Sequence, residues 1–398
     1  MSCMYSLNLN SSKTDNLFIH GQGVFLFNQL NITKDCEIYF YNKEKNNGLK
    51  FVLTKSNVIV YNISNSFSYI DTENKYGLTN SNGAFYWISL DSLNQNIYVG
   101  IGEARLDTII YKFSWEFDKH EDYEANKSFL ESIVCVQYND VYTQKIRLLK
   151  NPIITDVPLL IKNTCDLTMN DIADNKYLPK AHLNLVAQQL YDCISGPNFV
   201  LNNGDFPEFT QAIEYSIKTE GCWCYNKLQE KSTEFNKDVP NINETYLRIT
   251  LGCNSGDSPG IPYVMEIWPV GHYSPIHTHA NSNAIIRVLR GSINVKLFPY
   301  LCNDSEGVKE FGETNFDVDD ITWISPTLNQ IHQLKNLESN NDTCITIQCY
   351  MYGTKNMDHY EYFDYIDNDG KKEQYEPDSD MEFTKFKLLM KEEWSKRK

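Results

Sequence analysis

The residues best suited to chemistry lie in two clusters: Gly271-His-Tyr-Ser-Pro-Ile-His277-Thr-His279, followed by Arg287-Val-Leu-Arg-Gly291, and much later Ile331-His332-Gln-Leu-Lys-Asn336. The candidate ligands are three of the four histidines in these stretches. Side chains on a strand repeat every two residues, so His277 and His279 point to one face and both imidazoles can reach one ion. A third His from a distant strand completes one face of the coordination sphere. The opposite positions stay open, as redox iron needs if it is to take a substrate and dioxygen together. His272 stands at odd separation from His277, faces away, and reads as structural. His-x-His alone says little, because eight His in 398 residues give a chance pair in roughly one such chain in six.

The segments that must position these residues read as short strands at 246–251, 263–268, 284–289, 292–298 and 343–350, separated by Gly-rich or Pro-containing turns as a small barrel requires. Before them, 183–194 carries apolar residues at helical spacing and 207–217 suggests a second helix. Earlier still, runs such as Val24-Phe-Leu-Phe27, Cys36-Glu-Ile-Tyr-Phe-Tyr41, Leu49-Lys-Phe-Val-Leu53 and Val58-Ile-Val-Tyr61 predict an antiparallel sandwich. Aromatic-faced strands at 83–89, 96–102 and 108–115 continue it, with no clustered acid, base or ligand set. The expected division is therefore 1–155, a β-sandwich of accessory or ligand-binding character; 156–217, a helical connecting segment; 218–370, the barrel with the histidines; and 371–398, a charged tail expected to be solvated. The fold class is mainly β.

Composition bounds the partners. Thirty-six Lys plus Arg against 52 Asp plus Glu leave a net charge of −16, which repels phosphate backbones and anionic lipid, so neither nucleic acid nor a membrane is expected. With 41% apolar and 13% aromatic residues over 398 positions, the chain is a folded protein of two or three domains. No apolar run nears the roughly 18 residues of a span, and residues 1–8 show no basic region followed by an apolar core. A soluble, cytoplasmic protein is expected. Eleven Cys, an odd number, fit reduced thiols, and Cys222-x-Cys224 lacks a second Cys or His pair at zinc spacing. Triplets such as Asn31-Ile-Thr33 and Asn243-Glu-Thr245 carry no weight without a secretion signal.

Gly-x5-His-x-His, a Gly twelve residues after His279, and His-x3-Asn resemble the two motifs of cupin barrels. The fuller pattern, Gly271-His-x-Ser-x-Ile-His-x-His with Leu289-Arg-Gly-Ser and Lys296-Leu-Phe, is similar to cysteine dioxygenase over about residues 200–355. The resemblance implies a C-terminal cupin (jelly-roll) barrel, Fe(II) held by His277, His279 and His332, and oxidation of L-cysteine by O2 to cysteine sulfinate. A dioxygenase for 3-mercaptopropionate and a non-catalytic cupin sensor or scaffold are the alternatives. Three neutral ligands leave the metal charge uncompensated, which suits a small thiol substrate bound as thiolate.

The same resemblance implies Tyr246 and Arg248, matching the family's Tyr-x-Arg, as substrate-binding residues, once a loop at 253–262 is inserted. The planar guanidinium suits a carboxylate bidentately, although an ordinary ion pair would also occupy an Arg. Tyr350 is implied as a catalytic phenol facing the iron, tied through a relay to Ser274. Gln348 stands where that relay has a His, and Gln can hydrogen-bond but not titrate. Ala284 replaces the Cys that animal enzymes crosslink to the Tyr, and Asn283 and Ala284 offer no carboxylate as a fourth ligand. More weakly, Phe85-Tyr-Trp-Ile-Ser89 and Ile97-Tyr-Val-Gly-Ile-Gly102 resemble the β-sandwich domain named after farnesoic acid O-methyltransferase, implying a module that binds an unidentified ligand or protein.

Overall fold

Runs of Val, Ile, Phe and Tyr broken by Asn, Gly and Ser favour a pleated, half-buried surface, and antiparallel strands dominate the chain. The computed structural model describes residues 12–397 apart from 30–33, 65–67, 71–76, 79–83, 115–119, 140–142, 236–238, 253–261, 281, 302–308, 327, 329–330 and 353–361. The region read for a leader at 1–8, the triplet at 31–33 and the inserted loop at 253–261 lie outside the described residues. Those residues form two compact units, one running to Asp156 and one from Val157 onward.

The first unit contains two antiparallel sheets. One runs in the order Ser12–Asn16, Ile133–Asn139, Cys36–Asn42, Gly48–Leu53, Val58–Asn62, Ser68–Ile70. The other runs Thr143–Leu149, Gln22–Gln29, Phe85–Asp91, Asn96–Ile101, Ile109–Ser114. Aromatic rings join them: Phe25 of the second sheet meets Phe40 edge-on at 6.2 Å and Tyr138 at 5.3 Å. A helix at His120–Glu131, absent from the all-β expectation for this region, precedes the strand at Ile133. Five of its 12 residues are charged, and Leu130 is its fully buried anchor. Glu103 is also buried, with neither carboxylate oxygen hydrogen-bonded, and burial pushes its carboxyl up to about 7.

The second unit is a jelly-roll of two six-stranded sheets. The first runs Ile321–Ile324, Asn283–Arg290, Cys344–Met351, Tyr263–Trp268, Leu247–Leu251, Met381–Glu382. The second runs Gly312–Asp317, Ser292–Phe298, Ile331–Lys335, Ile276–His277, Phe363–Ile366, Lys372–Tyr375. Their inner faces share one core in which Trp268 and Val288 of the first sheet pack with Val295, Leu297 and Phe316 of the second. Gly291 turns the Asn283–Arg290 strand into Ser292–Phe298 at φ +72°, where a Cβ would also crowd the Cys344 backbone at 3.1 Å.

Helices cover the outer face of the first sheet. Leu190 and Ile194 of the Leu185–Ile194 helix pack on Ile285, Ile347 and Cys349, while Phe209 of the Phe209–Lys218 helix packs on Leu247, Ile267 and Ile345. The expected solvated tail is a correction: Lys372–Tyr375 pairs with Phe363–Ile366, and Phe383–Lys396 is a docked helix. Phe383, Phe386, Met390 and Trp394 make an apolar stripe at helical spacing through a charged sequence. Phe386 is fully buried against Phe209 and Trp223, at 6.0 and 5.5 Å between ring centroids.

Phe386→Ala is therefore expected to cost the second unit about 3–5 kcal/mol in urea unfolding; a loss below about 1 kcal/mol would show that the helix is not part of the core. For Glu103 the folded-state pKa lies above the unfolded one. Its contribution is complete below the ordinary carboxylate range and is lost as pH rises through about 7. Glu103→Gln should flatten the pH dependence of first-unit melting across that window and raise the melting temperature at pH 8, which differential scanning calorimetry checks.

Candidate metal centre

Strand pairing builds the centre. His277 ends the Ile276–His277 strand and stands opposite His332 in antiparallel register, while His279 follows two residues on. The three imidazole centroids lie 4.8 Å from one another in every pairing. His279 Nε2 and His332 Nε2 are 3.0 Å apart. His277 Nδ1 lies 2.9 Å from the Pro275 carbonyl oxygen, so a proton on Nδ1 leaves Nε2 as the free donor atom.

Burial disfavours the charged form of all three. It lowers His277 to about 4 and holds His279 and His332 well below the usual range, with mutual repulsion adding to the effect. Neutral imidazole is the ligating form. Two nitrogens bound to one metal at right angles with bonds of about 2.1 Å would be about 3.0 Å apart, the separation observed here. A direct hydrogen bond would also explain that pair, but not a third ring equidistant from both. The donor set fits a divalent transition metal, since imidazole suits iron, zinc, copper and nickel. Among the described residues this is the one cluster of three or more His, Cys, Asp or Glu with metal-holding geometry. Cys224 instead packs against Met390 at 3.9 Å with its thiol pushed up by burial.

The imidazoles border a cavity with about 50 Å³ of space open to water-sized centres, enough for a small ligand or a few waters. Its walls include Ile286, Val288, Val295 and Phe316, with Tyr246 stacked on Trp268 at 4.1 Å. A hydrogen-bonded chain crosses the polar end. Arg248 Nη1 meets Glu266 Oε1 at 2.5 Å, Glu266 Oε2 accepts from Gln348 Nε2 at 2.5 Å, and Gln348 Oε1 accepts from the Tyr350 hydroxyl. The Tyr350 ring lies 6.3 Å from His279. Burial raises the Glu266 carboxyl, and the Arg248 charge opposes that shift.

The structure thus brings His277, His279, His332, Tyr246, Arg248, Gln348 and Tyr350 to one cavity. Ser274 is elsewhere: its hydroxyl accepts the Leu334 N–H at 3.0 Å. The place expected for it beside Gln348 is taken by Glu266 and by Thr346, whose hydroxyl accepts from Gln348 at 3.3 Å. Ala284 stands in register opposite Tyr350, and His272 turns away to bond Thr245. Sequence reading missed Glu266 and the aromatics Phe363, Tyr365 and Tyr375 that close the cavity. An acid in alternation between Val264 and Trp268 was the available signal.

No family model and no curated protein matches the chain. Among solved structures it is similar to an oxalate oxidase in complex with the substrate analogue glycolate, at 16% identity and TM-score 0.22, over 29% of this chain and 53% of that one. A cupin 2 domain-containing protein from Halorhodospira halophila matches at 18% identity and TM-score 0.22, over 31% and 70%. A cupin-like protein from Thermotoga maritima matches at 11% and 0.22, over 31% and 76%. The chain thus spans about half the length of the oxalate oxidase. Its own strand topology makes the second unit a two-sheet jelly-roll, with a three-histidine cluster in it that suits a metal. No helix among the described residues is long and apolar enough to cross a membrane.

His332→Ala should abolish stoichiometric metal retention, read by elemental analysis of the purified chain, and a chelator should lower the melting temperature of the wild type but not of the variant. Equal metal content in both would remove His332 from the ligand set.

Proposed function

We propose that the second unit is a non-haem Fe(II) thiol dioxygenase that converts a small thiol and O2 to a sulfinate. The observation that carries this reading is the equidistant trio of neutral imidazoles, His279 and His332 buried and His277 partly so, beside a cavity with room for a small ligand. L-Cysteine is the expected substrate, giving cysteine sulfinate, with 3-mercaptopropionate next. The reaction balances as R–SH plus O2 to R–SO2H: sulfur loses four electrons, dioxygen gains them, and both oxygen atoms end on sulfur.

Bound at His277, His279 and His332, iron would supply the redox chemistry and favour the thiolate. The rest falls to side chains. Tyr350 is held by its hydrogen bond to Gln348, which fixes the phenol beside His279. Arg248 and Tyr246 are the proposed substrate-binding residues at the polar end, and Trp268, Val288 and Phe316 keep water from the opposite side. Ser274 acts on the strand register at Leu334. Residues 1–155 serve in this reading as an accessory module for a ligand or protein, and a reducing cytoplasm suits Fe(II) and the free thiols.

One observation favours a second reading. Gln348 cannot titrate and Arg248 is already ion-paired, which would suit a non-catalytic sensor or scaffold. Oxygen uptake by the Fe(II)-loaded chain with L-cysteine, 3-mercaptopropionate and cysteamine in parallel, with sulfinate identified by mass, separates the two. Thiol-dependent uptake with sulfinate formation is expected. Iron retained without uptake for any thiol would leave the sensor.

A further inference from the structure

The hydrogen-bonded chain along the polar end of the cavity has a direction, and Glu266 sets it. Strand register brings its members together: Arg248 and Thr346 stand opposite Glu266 on the two neighbouring strands, and Gln348 and Tyr350 follow Thr346 at the period of two. Glu266, Gln348 and Tyr350 are all buried. Arg248 gives Glu266 Oε1 one of the five N–H donors of a guanidinium, which favours the carboxylate form of Glu266 and is compatible with a ligand carboxylate on the same guanidinium. A carboxylate accepts and cannot donate, so the Gln348 amide turns its NH2 to Glu266 Oε2, where Nε2 donates at 2.5 Å, and Nε2 also donates to the Thr346 hydroxyl at 3.3 Å. The amide carbonyl is left for Tyr350 and accepts the phenol proton. The opposite turn of the amide would set its oxygen against a carboxylate oxygen in a buried space.

A phenol has a single proton. Gln348 takes that of Tyr350, so any bond the hydroxyl makes to a ligand in the cavity it makes as acceptor, and the ligand group that meets it must be a donor. We propose that Glu266 is a specificity-determining residue that acts through Gln348: it fixes Tyr350 as a hydrogen-bond acceptor toward the cavity and so selects thiols that carry an amine. The identity of the ligand as a thiol rests on the dioxygenase reading above; the direction of the chain does not. Glu266→Gln reverses that direction. With the guanidinium still donating to the side-chain oxygen, the introduced amide turns its NH2 to Gln348, and Gln348 answers with its carbonyl. The NH2 of Gln348 then faces the phenol, whose proton turns to the cavity.

The test uses two pairs of thiols that differ only in the amine, L-cysteine against 3-mercaptopropionate and cysteamine against ethanethiol, with the full Fe(II)-loaded chain. Binding is read under nitrogen by tryptophan fluorescence, Trp268 being a wall of the cavity, and by melting temperature. Turnover is read separately by oxygen uptake. The wild type should bind the amine-bearing member of each pair about tenfold tighter. Glu266→Gln should bring both ratios to about one or below, because the phenol then offers a donor to the amine. A merely structural role would weaken all four thiols together and leave the ratios where they were. Gln348→Met, which breaks the chain at similar volume, should bring the ratios within about threefold and carries the test if Glu266→Gln fails to fold. No preference for the amine in the wild type, or ratios that survive these variants, as an amine held by the metal alone would give, would overturn the proposal. Ratios that shift as expected while no thiol is turned over would uphold Glu266 and sink the dioxygenase reading instead.

Discussion

The antiparallel register that sets His277 opposite His332 is the constraint on which the rest of the second unit depends. A slip of one residue in a strand pair turns every side chain to the other face. Here it would turn one imidazole to the opposite face of the sheet and break up the trio. The pair is short, and its neighbours hold it. Ser274 bonds Leu334 in both directions, through its hydroxyl at 3.0 Å and its own N–H at 2.9 Å, while Asn336 and His272 pair through their backbones. Ser274 thereby fixes where His277 falls along its strand.

The same period of two divides labour across the first sheet of the barrel. Tyr246, Arg248, Glu266, Trp268, Thr346, Gln348 and Tyr350 face the cavity, while the residues between them, Leu247, Ile249, Ile267 and Ile345, meet the helices. The outer packing therefore positions the site. Asp380, just before the C-terminal helix, accepts the Arg248 N–H at 2.7 Å and donates its own N–H to the Arg248 carbonyl at 2.8 Å. Its carboxylate also meets buried Lys231 at 3.1 Å. Docking of Phe386 and Met390 thus ends in a clamp on the strand that carries the cationic side chain of the cavity.

What could be read from sequence follows from this geometry. The His-x-His spacing and the distant His332 were legible because a period of two survives without knowledge of the partner strand. The strands at 263–268 and 343–350 were legible from their apolar runs. Glu266 was not, because an acid in a strand has no meaning until the strand opposite is known to present Arg248. The docking of the C-terminal segment, whose helical spacing was legible, was hidden for a different reason. Lys and Glu fill six of the 14 positions of Phe383–Lys396, and its stripe of Phe386, Met390 and Trp394 shows only at helical spacing. The helix at His120–Glu131 was masked likewise, by charges around a few apolar residues.

The charges in the cavity make one further step possible. Burial keeps His277, His279 and His332 neutral, and Arg248 with Glu266 sums to zero, so these five groups contribute no net charge. A divalent ion held by the imidazoles would keep its full charge in a low-dielectric space. An anionic ligand would answer that charge at the ion itself. The described groups therefore balance one another at the Arg248 end, and the charge left to be answered is that of an ion at the imidazoles.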